Sequence, residues 1–244
     1  NRADIDSIEL SPAVLEQLRD FVSSMADQYR ANPFHNFEHA SHVTMSSVKL
    51  LKRIVAPEDV NYKRDSVHAI ESDIHKYTFG ITSDALANFS VTFASLIHDV
   101  DHRGVPNGQL SKEEPEMGAR YKEESVAEQN SVDIAWDRLM DPKYKELQAC
   151  IFTTDNELKR FRQYVVNLVM ATDIFNKRMK ELRNLRWEKA FSMSDNSESE
   201  TVSLVSSTKH GSTASDEVGT NLKATIVLEH IIQAADVSHT MQHW

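Results

Sequence analysis

Two histidines and two aspartates lie within one five-residue stretch, His98-Asp99-Val100-Asp101-His102. Imidazole nitrogens and carboxylate oxygens are the donors that zinc and harder divalent cations take from proteins. An apolar segment ending at Ile97 precedes the stretch, so the same residues could simply be the polar end of a helix. Two distant groups favour a metal centre: His35 and His39 upstream, and Asp236 near the C-terminus.

The spacing within each group suggests how the ligands could be presented. His35 and His39 follow Asn32-Pro33, a pair typical of a helix start. If the helix begins there, both imidazoles lie on one face, as two ligands or as one ligand and one acid/base group. His98 and Asp99 would point about 100° apart on a helix, toward one metal from two sides or toward two metals. Two histidines and two carboxylates would leave coordination positions open for water, as catalysis requires.

The segments that must hold these groups all have helical periodicity. Ser11-Pro12 is a cap followed by a first-turn proline, and apolar residues recur at helical spacing after it. Further helices are predicted over 33–55, 67–77, 84–97, 116–122, 125–139, 143–153, 156–190 and 222–235, and a loop over 103–115. Neither strand alternation nor a repeat is evident. We therefore expect an all-α fold, a compact multi-helix bundle of a single domain over 1–244 with a central metal site.

Composition narrows the function classes. The chain has 244 residues, 40% of them apolar, and a net charge of −10, which argues against nucleic acid or anionic lipid as partners. A single cysteine, Cys150, excludes an internal disulfide and favours a reducing, cytoplasmic location. There is no apolar run of transmembrane length, although a longer parent protein could still carry an anchor. Residues 192–220 are rich in Ser, Thr and acidic residues, which predicts a flexible insertion.

Five segments occur in the order and approximate spacing of the motifs of class I cyclic nucleotide phosphodiesterases, a branch of the HD superfamily, which they resemble. His98-Asp99-Val100-Asp101-His102-Arg103-Gly104 resembles the family's H-D-x-D-H-x-G stretch. The other four are Phe34-His35-Asn36-Phe37-Glu38-His39-Ala40, Glu124-Ser125-Val126-Ala127-Glu128, Ala171-Thr172-Asp173 and Ala234-Ala235-Asp236-Val237-Ser238. The resemblance covers about residues 10–244 apart from the 192–220 insertion.

The resemblance assigns roles to individual residues. It implies four ligands for a tightly held metal, usually zinc: His39, His98, Asp99 and Asp236. Asp99 would also contact a second ion, magnesium or manganese. The waters and hydroxide around that ion would be anchored by His102, Glu128 and Thr172. His35 would be the general acid that protonates the leaving 3′ oxygen.

Some positions depart from the family pattern. Phe34 replaces a tyrosine, His42 an aspartate, and Gln129-Asn130-Ser131 the usual Asn-His-His, which we expect to weaken support near the second metal. His239, a candidate substrate-binding residue, replaces an asparagine. The family's purine-binding residues would lie beyond Trp244, so the resemblance leaves the purine pocket unassigned.

The expected activity is metal-dependent hydrolysis of cAMP, cGMP or both to the 5′-monophosphate. Two alternatives stay open: an HD-type phosphohydrolase of another nucleotide or phosphate ester, and a catalytically silent regulatory domain. The expected partner is a cyclic nucleotide. The sequence leaves the oligomeric state undecided.

Overall fold

The computed structural model describes residues 9–54, 74–75, 77–191 and 214–238, and over these ranges the fold is all-α, as predicted, without a β-strand. The helices are α1 (Pro12–Ala26), α2 (Phe37–Lys52), α3 (Ala85–Ile97), α4 (Asn107–Glu113), α5 (Pro115–Arg120), α6 (Val126–Leu139), α7 (Lys145–Ile151), α8 (Asp155–Thr172), α9 (Lys177–Phe191) and α10 (Ala214–Ser238). Single 3-10 turns cover Ile81–Ser83 and Pro142–Tyr144. None of the described helices is both long and apolar enough to cross a bilayer.

Four helices form the centre of the bundle. The apolar helix α3 packs against α2 and α8, and α10 packs against the same two helices. Phe161 of α8 is fully buried among the rings of Phe89, Phe93, Trp136 and Phe152. Each of the four central helices carries or leads directly into a predicted site residue, so the packing that buries the core also positions the site. A single domain over 1–244 stays a prediction.

Local hydrogen bonds explain where the helices begin. Ser11 caps α1 as predicted, since its hydroxyl accepts a hydrogen bond from the backbone of Val14. The prediction that the next helix begins at Pro33 is wrong. Asn32 Oδ1 accepts from the backbone N–H groups of Phe34 and His35 at 3.1 and 3.2 Å, which closes a turn there. The helix begins after Asn36, whose side chain caps it, so His35 lies outside the helix that carries His39.

Three other predicted boundaries differ from the structure. The predicted loop over 103–115 contains α4. The predicted helix over 156–190 is two helices, because Asp173 Oδ1 accepts from the backbone of Phe175 and Asn176, and Asn176 then accepts from the backbone of Met179. Helix α10 begins at Ala214, so residues 214–220 of the predicted insertion are helical. Residues 192–213, and most of the helix predicted over 67–77, lie outside the described residues.

Candidate active site

Four of the predicted ligands meet where α2, α3 and α10 come together. His39 lies on α2, His98 and Asp99 follow the last turn of α3, and Asp236 lies in the last turn of α10. His39 Nε2 is 3.0 Å from Asp236 Oδ1 and 3.5 Å from Asp99 Oδ2. His98 Nε2 is 3.2 Å from Asp99 Oδ2 and 3.7 Å from Asp236 Oδ1. Three distant parts of the chain thus direct two imidazoles and two carboxylates at one point.

The donor atoms suit a cation. Ligand atoms of His39, His98 and Asp236 all lie within 4.8 Å of one another. His98 Nε2 and Asp99 Oδ2 are buried, and within the described ranges neither makes a hydrogen bond of acceptable geometry. His98 Nδ1 is 3.0 Å from the carbonyl oxygen of Ser95, which can only accept, so Nδ1 carries a hydrogen and Nε2 faces the cluster. This is the orientation of a metal-binding histidine, whose second nitrogen is held by a carbonyl.

The electrostatics of the cluster also favour bound positive charge. Burial acts to lower the pKa of His98, but the carboxylates of Asp99 and Asp236 raise that pKa well above its ordinary value. Burial acts to raise the pKa of Asp236, yet the adjacent imidazoles of His39 and His98 hold that pKa well below the usual range. The two carboxylates therefore favour a positive charge at this cluster, which a divalent cation can supply in place of a proton.

A second group adjoins the first and shares Asp99. The rings of His35 and His102 stack with their centroids 3.8 Å apart, and ligand atoms of these two histidines and Asp99 lie within 4.8 Å of one another. Burial lowers the pKa of both histidines, that of His102 to about 4. Gly104 N–H donates to His102 Nδ1 at 2.9 Å, so the neutral ring carries its hydrogen on Nε2. His102 is therefore suited to donate a hydrogen bond to water.

The backbone conformation and the close packing at position 104 require a glycine. Its φ of +77° lies in the left-handed region, and an added Cβ would lie 2.5 Å from Asn32 Nδ2. The close approach brings the loop after His102 against the turn that carries His35, and this contact accompanies the stacking of the two rings.

Glu128 belongs to a buried carboxylate pair on the opposite wall. Asn107 Nδ2 donates to Glu128 Oε2 at 2.9 Å and to Asp173 Oδ2 at 3.2 Å, while Asn107 Oδ1 accepts from the backbone of Ala127. Burial, and then the charge of Asp173, raise the pKa of Glu128 to about 7. Sequence reasoning gave no role to Asn107 or Asp173. The only signals were an asparagine shortly after the His-Asp stretch and the motif that contains Asp173.

Two residues of the Gln129-Asn130-Ser131 stretch, which departs from the family pattern, make hydrogen bonds to the loop that follows His98 and Asp99. Asn130 Nδ2 donates to Asp101 Oδ2 at 3.1 Å, and Ser131 Oγ donates to the carbonyl oxygen of Val100 at 2.7 Å. Arg30 binds the other oxygen of Asp101 at 2.6 Å, and the backbone N–H of Asp101 donates to the carbonyl oxygen of Gln28. Asp101 adopts a φ of +61°, which these contacts hold in place between Asp99 and His102.

A cavity of about 870 Å³ opens above these groups. Its wall includes six of the predicted site residues: His35, Asp99, His102, Glu128, Thr172 and Asp236. His39 and His98 are buried in direct contact with this wall through Asp99 and Asp236. Phe34 and Phe175 add aromatic surface, and Phe175 is 89% exposed. His239 lies outside the described residues. The structure thus unites the other eight predicted positions around one cleft.

Known structures show the class of fold. The crystal structure of the phosphodiesterase domain of the RhoPDE fusion protein from the choanoflagellate Salpingoeca rosetta aligns with a TM-score of 0.59 at 21% identity, over 92% of this chain and 58% of that one. A second crystal structure, of the phosphodiesterase domain of Salpingoeca rosetta rhodopsin phosphodiesterase, aligns with a TM-score of 0.61 at 19% identity over 94% of this chain and 55% of that one. The fold is therefore that of a phosphodiesterase domain.

Sequence comparison is more specific. Residues 34–244 match the family model of 3'5'-cyclic nucleotide phosphodiesterase, and the chain belongs to that family. A probable 3′,5′-cyclic-AMP phosphodiesterase of Caenorhabditis elegans is 30% identical over 169 residues, which are 68% of this chain and 21% of the relative. A cGMP-specific phosphodiesterase of Dictyostelium discoideum is 29% identical over 157 residues, 64% of this chain and 28% of the relative. The chain thus spans only about a fifth to a quarter of these relatives.

Proposed function

We propose that this protein hydrolyses the 3′ phosphoester bond of a 3′,5′-cyclic nucleotide and releases the 5′-monophosphate. The observation that carries the proposal is the convergence of His39, His98, Asp99 and Asp236 at the floor of a cleft large enough for a small molecule. Membership of the family supports it, and relatives named for cAMP and for cGMP leave both nucleotides as candidate substrates.

The donor set supports two divalent cations. His39, His98, Asp99 and Asp236 would hold zinc, since imidazole and carboxylate ligands suit that ion. Asp99, with waters held by His102, Glu128 and Thr172, would hold magnesium or manganese, which favour oxygen ligands. When bound, such a pair polarises the phosphate and lowers the pKa of water toward neutrality.

The chain's own residues then control the protons and the geometry. Asp99 and Asp236 accept hydrogen bonds from the attacking water and hold it in line with the phosphorus–O3′ bond. The water gives up one proton to solvent, its oxygen forms the new bond to phosphorus, and the bond to O3′ breaks. O3′ takes a proton from His35, which is then reprotonated from solvent. Burial lowers the pKa of His35, but the negative phosphate of the substrate acts in the opposite direction, because it favours the imidazolium.

Hydrolysis of cAMP and cGMP by the full-length protein, with and without EDTA, tests the activity. His35→Ala should reduce the rate about 10²–10⁴-fold while zinc content, measured by inductively coupled plasma analysis, stays near wild type. His230→Ala is the matched control: this histidine of α10 contacts Trp187 of α9, is not among the residues that line the cleft, and its loss should change neither quantity.

Other results would redirect the proposal. Loss of zinc in His35→Ala would make His35 a ligand. A folded, zinc-loaded wild-type protein that turns over neither nucleotide would favour another phosphate ester or a regulatory domain.

A further inference from the structure

A second cavity lies between α8, α9 and α10 and shares no lining residue with the catalytic cleft. Its volume is about 350 Å³, at the lower end of the range of about 300–1,000 Å³ that is typical of small-molecule sites. The apolar part of its wall is formed by Val166, Met170, Met179 and Leu182. An apolar wall of this kind suits the body of a small organic molecule.

Helix α9 directs two arginines toward this cavity, beside the apolar side chains of Met179 and Leu182. Arg183 and Arg186 line it, while Leu185 and Trp187 of the same helix are 60% and 48% exposed. A helix that packs on a core normally presents its apolar side chains to the core and its charged ones to solvent. Exceptions of this kind concentrate at functional sites, because the local pattern is given up there for another purpose.

Only one of the two arginines has its charge balanced. Arg186 makes a bidentate pair with Glu229, at 2.9 and 2.8 Å, which uses both carboxylate oxygens. The Glu229 side chain is 3% exposed and the Arg186 side chain 31%, so the carboxylate of this pair is nearly removed from water. Arg183 Nη1 is also buried, but it has no hydrogen-bond partner in the described part of the chain. The three side chains together carry one net positive charge.

A buried guanidinium nitrogen without an acceptor is unfavourable, and burial lowers the pKa of Arg183 accordingly. Arg183 as a whole is only partly buried and lines the cavity, so an anionic group there would neutralise the surplus charge and, after a rotation of the guanidinium, accept the missing hydrogen bond. Arginine pairs especially well with planar carboxylates. Because Glu229 is already bound to Arg186, the anion must come from outside this cluster.

We infer that this cavity is a binding site for a small amphipathic carboxylate, whose anionic group binds Arg183 and whose apolar body packs against Met170, Met179 and Leu182. The site is separate from the catalytic cleft, and the inference does not depend on the proposed hydrolysis.

Calorimetric titration with sodium hexanoate tests the site, with 1-hexanol as the uncharged counterpart. Wild-type protein should bind hexanoate at least tenfold more tightly than hexanol. Arg183→Met should weaken hexanoate binding at least tenfold. Lys189→Met, which removes one positive charge from an exposed position of the same helix, should change it less than twofold.

Leu182→Trp gives a second test that leaves the charges unchanged. Leu182 is 45% exposed, so the larger side chain is compatible with folding, but it should obstruct the cavity and abolish binding. Circular dichroism verifies the fold of each variant. The inference is overturned if folded wild-type protein does not bind hexanoate, if hexanol binds equally well, or if binding survives Arg183→Met. Binding lost only with Asp236→Ala would assign hexanoate to the metal centre and would equally overturn it.

Discussion

Replacing Asp101 with glycine and with alanine should reveal how much backbone strain the His-Asp loop stores. Asp101 has a φ of +61°, and a left-handed conformation costs a residue with a Cβ about 1–2 kcal/mol. Aspartate tolerates this conformation better than alanine, and glycine adopts it without a steric penalty. We therefore expect glycine to be the better replacement, contrary to the usual order.

The magnitude follows from the contacts that both variants lose. The Arg30 side chain is 43% exposed, so its pair with Asp101 contributes at most about 1 kcal/mol. The hydrogen bond from Asn130 contributes about 1 kcal/mol more. Asp101→Ala should thus lower the free energy of unfolding by about 3 kcal/mol, since it adds strain to these losses. Asp101→Gly regains about 1–2 kcal/mol from the strain but loses about 0.5–1 kcal/mol through the greater freedom of the unfolded chain.

Urea unfolding of the EDTA-treated protein, followed by circular dichroism, measures the difference. The glycine variant should be about 1 kcal/mol more stable than the alanine variant. Asp137, exposed in α6, is the matched control, and there alanine should be about 1 kcal/mol more stable than glycine, as is usual within helices. An Asp101→Ala variant as stable as Asp101→Gly would refute the reasoning. It would mean that alanine adopts the left-handed conformation, or that the loop leaves it, without loss of folding free energy.

Three further perturbations test the site and the core. The pKa of Glu128, about 7 when folded, lies above its ordinary value of 4.5, so the stability that it contributes is present at low pH and is lost as the pH rises through 7. Glu128→Gln should therefore stabilise the EDTA-treated protein at pH 8, by on the order of 2 kcal/mol, with a gain that shrinks toward pH 5 in urea titrations; an equal gain at both pH values would contradict this. Asn107→Ala should destabilise the protein by about 1–2 kcal/mol and weaken binding of Mn²⁺ in titrations, since it removes the donor shared by Glu128 and Asp173; unchanged Mn²⁺ affinity would separate the network from the metal. Phe161→Ala should cost about 3–5 kcal/mol in urea unfolding, because Phe161 is fully buried, and a loss below about 1 kcal/mol would show that the surrounding rings collapse into the space.

Local sequence signals predicted the helices well where one cap dominated. Ser11-Pro12 began α1 as expected, and the apolar spacing that ends at Ile97 delivered His98 and Asp99 to the end of α3. At the next helix the prediction took Asn32-Pro33 as the start, whereas Asn36 is the residue that caps it. Asn32 instead closes a turn, and this turn lies against Gly104. A contact between residues so far apart in the sequence cannot be predicted from a local pattern.

The break between α8 and α9 was missed for a similar reason. Apolar periodicity continues past Asp173, whereas the structure uses its side chain to accept two backbone hydrogen bonds and to contact Ser125 and Asn107 from other segments. The same partners bring Asp173 beside Glu128. A tertiary network thus ended the helix and raised the pKa of the neighbouring carboxylate.

The sequence by itself determined the kinds of donor at the site and the family, because residue types and ordered motifs are local properties of the chain. Tertiary structure alone decided that His39, His98 and Asp236 meet within a few ångströms and that His35 stacks on His102 outside the helix. It also decided that Arg183 Nη1 has no acceptor among the residues that the structure describes. The physical reason is that distance, burial and the resulting pKa shifts depend on how α2, α3, α8, α9 and α10 pack against one another. Residue identity supplies the chemical groups, and packing sets the distances between them and their electrostatic surroundings.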